Sequence, residues 1–486
     1  MTISFDSIPS ALRTPGSYVE FNTELAGATS TEFKMLVIGQ RLSNGTQSAG
    51  VPVLVTDPSR AAMLFGRGSM LHGMVAAALN ASTTVEMWAV ALDDLEAGTA
   101  ATGTMVVDSA ATEAGTLYVY LGGVRVAVGI ASTDDAAAIA ASIAAAINSS
   151  LDLPVTATVS TNTVTVKARH KGEFMNGFDL RTSYYDEEEP AGLSVTCSNL
   201  SSGSGNPDVT AALDAMGDEW FNWCCTPYTD TANLLAVDEE MDSRFGPMRQ
   251  QGCRAFAAYA GTLSAAGTFG NTRNNPHVVI MATNDSPTPT YLVASILMAT
   301  AAASLSIDPT RPCQTLELKG MKAPVREARW IQSERNVLLF DGISTFTVDR
   351  SDGTCRIERL ITTYQTNQAG MPDASYLDIN TPETLERFRY EQRSLIAQMY
   401  PRHKLASDGT QYGAGQAIVT PVIIKGQFLA LYRELETKGW VEDYDTYKAN
   451  LIVERNADDA NRLDWRDTPN LVNQFRVGAG KTQFIV

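Results

Sequence analysis

The residues best suited to chemistry stand near the C-terminal end, in Gly478-Ala479-Gly480-Lys481-Thr482. Two glycines, a lysine and a hydroxyl in this order end a phosphate-binding loop, where backbone amides cradle phosphate oxygens and the lysine neutralises them. Such a loop needs a glycine five positions before its second one, and Phe475 stands there. It also needs a following helix to aim amides at the phosphates, whereas Gln483-Phe484-Ile485-Val486 alternates as a strand does. A nucleotide site is therefore not expected. Gly66-Arg67-Gly68-Ser69-Met70-Leu71-His72-Gly73 carries part of a dinucleotide-binding glycine pattern, but its third glycine is misplaced and a helix precedes it. It reads as a turn between two helices. Asp186-Glu187-Glu188-Glu189 could attract calcium, yet it lacks the alternating oxygen ligands and glycine of a dedicated loop and reads as a solvated turn. His170, His277 and His403 are isolated and have no metal-ligand spacing.

Two further strings resemble a hydrolase. His72-Gly73-Met74-Val75-Ala76 is similar to the histidine segment of subtilisin-like proteases, and Gly261-Thr262-Leu263-Ser264-Ala265 to their serine segment, with the serine one residue late. A triad needs nucleophile, base and orienting acid converging in space, and no Asp-Ser/Thr-Gly acid motif precedes His72. No catalytic residue, cofactor-binding residue or metal ligand is assigned.

The remaining signals are architectural. A chain of 486 residues exceeds what one hydrophobic core serves, so two to four domains are expected. The first residues have neither the basic nor the apolar region of a secretory signal. The longest apolar stretch, Tyr291 to Ile307, is broken by Ser295, Thr300, Ser304 and Ser306 and reads as a buried alanine-rich helix short of a membrane span. Six scattered cysteines, with Cys224 and Cys225 adjacent, suit neither a disulfide framework nor a zinc site and point to synthesis in a reducing cytoplasm. The net charge of −17 is concentrated: Ala91 to Asp242 holds 23 acidic and 5 basic residues, and the rest is nearly balanced. That concentration suits a solvated outward face and argues against nucleic-acid binding, while the neutral remainder suits packing against other subunits.

An extended arm comes first: Pro9, Pro15 and Gly16 interrupt any helix, and Ser17 to Phe21 alternates as a strand. From Phe33 strands and helices alternate. Met35 to Gly39 is a strand buried on both faces, Pro58–Phe65 and Ser69–Leu79 are helices with Ser69 as cap, and Val85 to Val90 is the next strand. Gly98 to Gly205 differs: a hairpin turns at Gly122-Gly123, a helix starts from a Thr133 cap with Ile139, Ile143 and Ile147 on one face, and two strands meet at Asn162. Ser201 to Gly205 reads as a flexible linker. The α/β rhythm then resumes, with strands at Trp220–Cys225, Ala255–Tyr259 and Val278–Ala282 and helices at Asp230–Arg244 and Pro289–Ala303, implying a mostly parallel sheet covered by helices. A last unit opens with Pro382 at the first helical position, continues to Met399, and adds a helix at Gly426–Thr437 and strands at Leu451–Val453 and at the C-terminal end.

The two ends of the chain carry a family likeness. Ile8-Pro9-Ser10-Ala11-Leu12-Arg13-Thr14-Pro15-Gly16-Ser17-Tyr18-Val19-Glu20-Phe21 resembles the N-terminal arm of Mu-type phage tail sheath proteins. Asn461 to Trp465, Pro469 to Arg476 and the closing Gln483-Phe484-Ile485 resemble that family's C-terminal arm. Phe65 to Met70, Gly115 to Tyr118 and Lys171-Gly172-Glu173-Phe174-Met175-Asn176 agree in order, the last two in the protruding domain. The resemblance implies a multidomain α/β protein: a subtilisin-like core without catalytic residues, a β-rich (α+β) insertion domain, an α+β C-terminal domain and extended terminal arms. The divisions expected are an arm at 1–26, core at 27–97, acidic protruding insertion at 98–205, core again at 206–375, an inner domain at 376–475 and an arm strand at 476–486. The resemblance further implies hexameric rings stacked around a tail tube, contraction that drives the tube through a host envelope, and baseplate and tail terminator proteins as partners. Residues expected to join subunits are Pro15, Gly16, Tyr18, Val19 and Phe21 in one arm and Thr482, Gln483, Phe484, Ile485 and Val486 in the other; Arg387, Arg389 and Arg393 are candidates for the tube contact. The setting is the virion tail, with host cytoplasm during assembly, and neither cofactor, nucleic acid nor membrane insertion is expected. A sheath of a bacteriocin or secretion-type injector is the alternative reading, and a subtilisin-like hydrolase a distant one.

Overall fold

The computed structural model describes residues 33–185, 187–413 and 415–485. Arm residues Pro15, Gly16, Tyr18, Val19 and Phe21, the Ser17–Phe21 strand and Val486 lie outside them. Six strands form the central sheet, in the spatial order Val278–Ala282, Arg254–Tyr259, Trp223–Cys225, Lys34–Gln40, Glu86–Leu92 and Val53–Leu54. The first five are parallel and the last is antiparallel. Their apolar runs are continuous because helices cover both faces: Met35 through Ile38 are fully buried, and Met35 lies between Trp223 and Met87 in register. Counted along the chain, the parallel strands run 2-1-3-4-5, an order that reverses between Lys34–Gln40 and Trp223–Cys225. Right-handed crossovers then place the helices Met70–Ala81 and Thr231–Phe245 on opposite faces. Thr290–Leu305, alanine-rich and buried almost all round, packs on Met70–Ala81 and the strands beneath. Among the described residues no helix is long and apolar enough to cross a membrane.

Local chemistry sets the ends of these elements. Ser69 Oγ accepts from the His72 amide at 3.1 Å and starts its helix, and Asp230 Oδ1 does the same for Asn233 at 3.1 Å. Pro58 and Pro421 sit in first turns, where a missing amide costs nothing. The Gly122-Gly123 turn has φ of 56° and 78°, both left-handed, as a tight hairpin between Gly115–Leu121 and Val124–Ile130 requires. The helix after it is capped by Asp135, whose carboxylate accepts from Ala138 N at 2.8 Å; Thr133 lies outside. The Asn380–Met399 helix begins before Pro382, because Asn380 is buried and donates to the carbonyls of Pro309 and Arg311.

The chain leaves the core beside the point where it returns. Thr99 pairs with Ser204 in an antiparallel bridge, and Asn176 exchanges hydrogen bonds with Gly203 at 2.8 and 2.9 Å. Ser201 to Gly205 is thus held, where the sequence suggested a loose linker. Between these points lie a four-stranded and a three-stranded sheet around the helix Ala136–Ser149. A separate apolar cluster, with Phe388, Phe428, Tyr432 and Tyr447, organises the C-terminal unit.

Candidate assembly surfaces

In doubly wound sheets ligands bind in the crevice beyond the carboxyl ends of the strands, where strand order reverses. Here the inserted segment fills that crevice. Asp94, just past the Glu86–Leu92 strand, accepts from His170 Nδ1 at 2.7 Å, Gln40 Nε2 at 2.7 Å and Lys171 N at 2.9 Å. Burial alone would raise the Asp94 carboxyl, but these bonds outweigh it and hold it below the usual range. Glu173 N donates to Asn206, which donates to Asp230 at the head of Thr231–Phe245. Phe174 packs edge-on against Tyr291, with ring centroids 5.7 Å apart. The space that remains, about 270 Å³, lies between this plug and Tyr228, Asp230 and Tyr259.

The protease-like strings do other work. His72 accepts from the Gly68 amide at 3.3 Å and is pushed down by burial, while Ser264 lies exposed in a helix capped by Thr262. The Gly478–Thr482 run is exposed, and no helix follows it among the described residues. The acidic run is partly engaged: Glu187 accepts from Tyr120, whose hydroxyl burial and Glu187 push up to about 12. Of the acidic residues between Ala91 and Asp242, nine, from Asp208 onward, sit on the core side of the insertion. The acidic excess therefore spans two units.

Arg387 and Arg389 lie half-buried against the core, and Arg393 is exposed at its edge. Arg387 lies over the Phe33 ring at 3.9 Å, donates to Ser306 O at 3.2 Å, and is lowered by burial. Arg389 pairs with Glu386, donates to Phe245 O at 2.6 Å and covers the Phe245 ring. Arg393 donates to Gln250 O and Oε1. Behind them Arg254 meets Glu383 at 3.3 Å in a buried pair. Arg254 also donates to Pro382 O at 2.7 Å. Ile379 belongs to the first apolar cluster and Phe388 to the second, so one helix is packed into both. Sequence alone supplied the sign of these side chains but not their direction.

The C-terminal segment has the opposite character. Beyond Leu471 no described residue is in a strand, and the last backbone bond among the described residues is Val472 N to Trp440 O. Arg476 anchors the segment through Asp378 at 3.0 Å. After it Val477 and Phe484 are 81% and 84% exposed and Ile485 fully so, and Thr482 and Gln483 are exposed too. A few residues away, the hairpin Ile452–Arg455 and Leu463–Arg466 is a two-stranded sheet with both outer edges unpaired among the described residues.

The family model for the phage tail sheath protein central domain matches residues 202–363, and that for the phage tail sheath C-terminal domain matches residues 371–485. The Mu-like prophage FluMu tail sheath protein of Haemophilus influenzae is 41% identical over 489 residues, covering 100% of both chains. Among solved structures, the sheath tail protein of Desulfitobacterium hafniense aligns with 94% of this chain and 100% of its own, at 12% identity and TM-score 0.48. That of Listeria innocua aligns with 91% and 95%, at 12% identity and TM-score 0.48. The sheath of an extracellular contractile injection system, PVC, in its contracted state aligns with 98% and 99%, at 9% identity and TM-score 0.46. With two sheath domains recognised in order and a sheath relative matched from end to end, this chain belongs to the phage tail sheath family and is a structural subunit of a contractile phage tail, not an enzyme.

Proposed function

We propose that the chain polymerises by exchanging its terminal arms, as rings of six stacked around a tail tube. The observation that carries this is the segment after Arg476: its apolar side chains Val477, Phe484 and Ile485 are exposed and its backbone is unpaired among the described residues, a combination that a second sheet would relieve. Thr482, Gln483, Phe484, Ile485 and Val486 would add to a neighbour's hairpin edge, and Pro15, Gly16, Tyr18, Val19 and Phe21 would do so from the other end. Rigid domains could then rotate during contraction while the backbone links persist, with an extended packing released by a baseplate trigger as the energy source. Electron microscopy of the purified protein tests this. Hollow tubes of six-subunit rings are expected, and a protein that stays monomeric at high concentration would count against it.

The divisions at 1–26, 27–97, 98–205, 206–375, 376–475 and 476–486 belong to the same proposal, with the insertion outermost and the C-terminal unit toward the tube. The tube contact would then involve Arg387, Arg389 and Arg393, of which Arg393 is exposed, together with the outer face of Pro421–Thr437, where Val422, Ala430, Arg433 and Glu434 are exposed. Assembly in host cytoplasm, with baseplate and terminator proteins at the two ends of the polymer, completes it. A subtilisin-like ancestry of the core is supported by its parallel sheet between helices, although the 2-1-3-4-5 order is also that of flavodoxin-like domains.

A further inference from the structure

A groove of about 740 Å³ opens beside the insertion, between the segment Pro324–Arg335 and the strand edge Phe346–Arg350. Four arginines line it, Arg326, Arg329, Arg335 and Arg350, with Trp330 and Ile331; among the described residues its own lining holds no carboxylate, while the adjoining hollow that shares Arg326 and Arg329 holds Glu317, Glu327 and Asp352. Arg335 is matched by Glu358 at 2.7 Å and Arg329 donates to Pro324 O at 2.9 Å. Arg326 and Arg350 are exposed and have no side-chain partner among the described residues. Ile331 in the lining is also exposed, and so are Val337 and Phe340 on the helix Gln332–Phe340 that follows it. A basic groove with an apolar lip in a chain of net charge −17 is a surface built for something acidic.

The same face carries that acidic element. Tyr184 and Tyr185 line an adjoining hollow that shares Pro324, Arg326 and Arg329 with the groove, and Tyr184 Oη donates to Ala323 O at 2.7 Å. The loop that follows presents Glu188 and Glu189 to solvent beside the exposed Tyr185. Glu187 accepts from Tyr120 and Glu189 from Ser183 Oγ at 3.0 Å, so the corner is held on its own insertion, and among the described residues no ion pair joins its carboxylates to the groove arginines of the same chain. Complementary patches side by side on one face cannot satisfy each other within one subunit, but a displaced copy can satisfy both in a head-to-tail contact that repeats along a ring or helix. We propose that the Arg326–Arg350 groove receives the Glu188–Glu189 corner of a second copy of this chain. The contact rests on the polymeric reading above but is independent of the arms.

Charge exchange tests it. Arg326→Glu with Arg350→Glu, and separately Glu188→Arg with Glu189→Arg, should each raise the protein concentration needed for tubes by about tenfold or more in low salt. Monomer melting should not change, because these side chains are exposed. An equimolar mixture of the two variants, or one chain carrying all four changes, should form tubes again, since every groove then meets a corner of opposite sign. Where reversal perturbs folding, Arg326→Gln with Arg350→Gln removes the attraction without adding repulsion and should shift assembly in the same direction. Tubes at the wild-type concentration from both reversed variants, or losses that neither the mixture nor the fourfold variant repairs, overturn the contact. So does a reversed groove that loses only its binding to tail tube protein. Wild-type chains that form no tubes count instead against the polymeric reading.

Discussion

His170 donates from Nδ1 to the Asp94 carboxylate at 2.7 Å, and the tautomer is set from the other side of the ring, where Nε2 accepts from the Met70 amide at 3.1 Å. One histidine thereby joins three parts of the chain: the inserted segment, the turn after a core strand, and the head of a core helix. Asp94→Ala would leave the donors of His170, Gln40 and Lys171 without their acceptor at a largely buried seam. A loss of about 2–3 kcal/mol is expected, the scale of buried polar groups left unpaired. Hydrogen exchange should quicken around Lys171–Asn176 while Val278–Ala282 keeps its protection. An even loss of protection across both would mean that the seam is not a local attachment.

Asp238 supplies a pH dependence. Burial pushes its carboxyl up to about 6, against the pull of Arg273. In the unfolded chain an aspartate titrates near ~3.9. Below that value both states are protonated and the group contributes no difference. As pH rises through 4 to 6 the unfolded chain releases the proton first, so this group lowers stability, by roughly 2–3 kcal/mol in total. Asp242 is raised by burial and adds in the same direction. The unfolding free energy of the native protein relative to Asp238→Asn should therefore fall between pH 4 and pH 7. A difference that stays constant across that range would refute the assignment.

Arg387→Glu should damage folding before it affects any partner. The guanidinium is largely buried over Phe33, and its replacement would set a carboxylate near Glu383 and Glu391, the acidic neighbours Arg387 now offsets. Breaking a buried charge arrangement costs about 3–5 kcal/mol, so a clear fall in the monomer's melting temperature is expected. Arg393→Glu, on a more exposed contact with Gln250, should lower it much less. Equal and small shifts for the two would show that Arg387 does not fasten the C-terminal unit to the core.

What sequence could reveal divides along the range of the forces involved. Ser69 and Asp230 act within three residues of themselves, so the helices they cap were legible. The paired glycines of the hairpin impose their turn without help from elsewhere. Asp135 and Thr133 are both residue types that cap helices, Asp the stronger, and Asp135 caps the helix that buries Ile139, Ile143 and Ile147. The helix Gln332–Phe340 is short and buries only Leu338, so its sequence carries a weak helical signal. The plug at Lys171–Asn176 could be seen as a string but not as a plug, since its partners Asp94 and Asp230 are distant in sequence. The arginines of the C-terminal helix have a charge any reader can count, but which surface they face depends on Phe33, Phe245 and Gln250.

Phe484 separates assembly from folding. Residues 482–485 run from two polar to two apolar side chains, none lies in a strand and Phe484 is 84% exposed, so this side chain contributes little to the single subunit. Exposed apolar side chains on an unpaired backbone suit a strand that needs a partner, and within the described residues it has none. If a neighbour supplies the partner, Phe484 enters that neighbour's core, where burial of such a side chain contributes roughly 1.5–3 kcal/mol per junction. Repeated at every junction of a polymer, a loss of that size suppresses assembly strongly. Phe484→Asp should therefore leave circular dichroism and melting of the monomer unchanged and abolish tubes, and deletion of the residues before Tyr18 should do the same from the other end. A lower melting temperature for Phe484→Asp would place the segment within its own subunit. Normal tubes from both variants would leave the arms without a role in polymerisation.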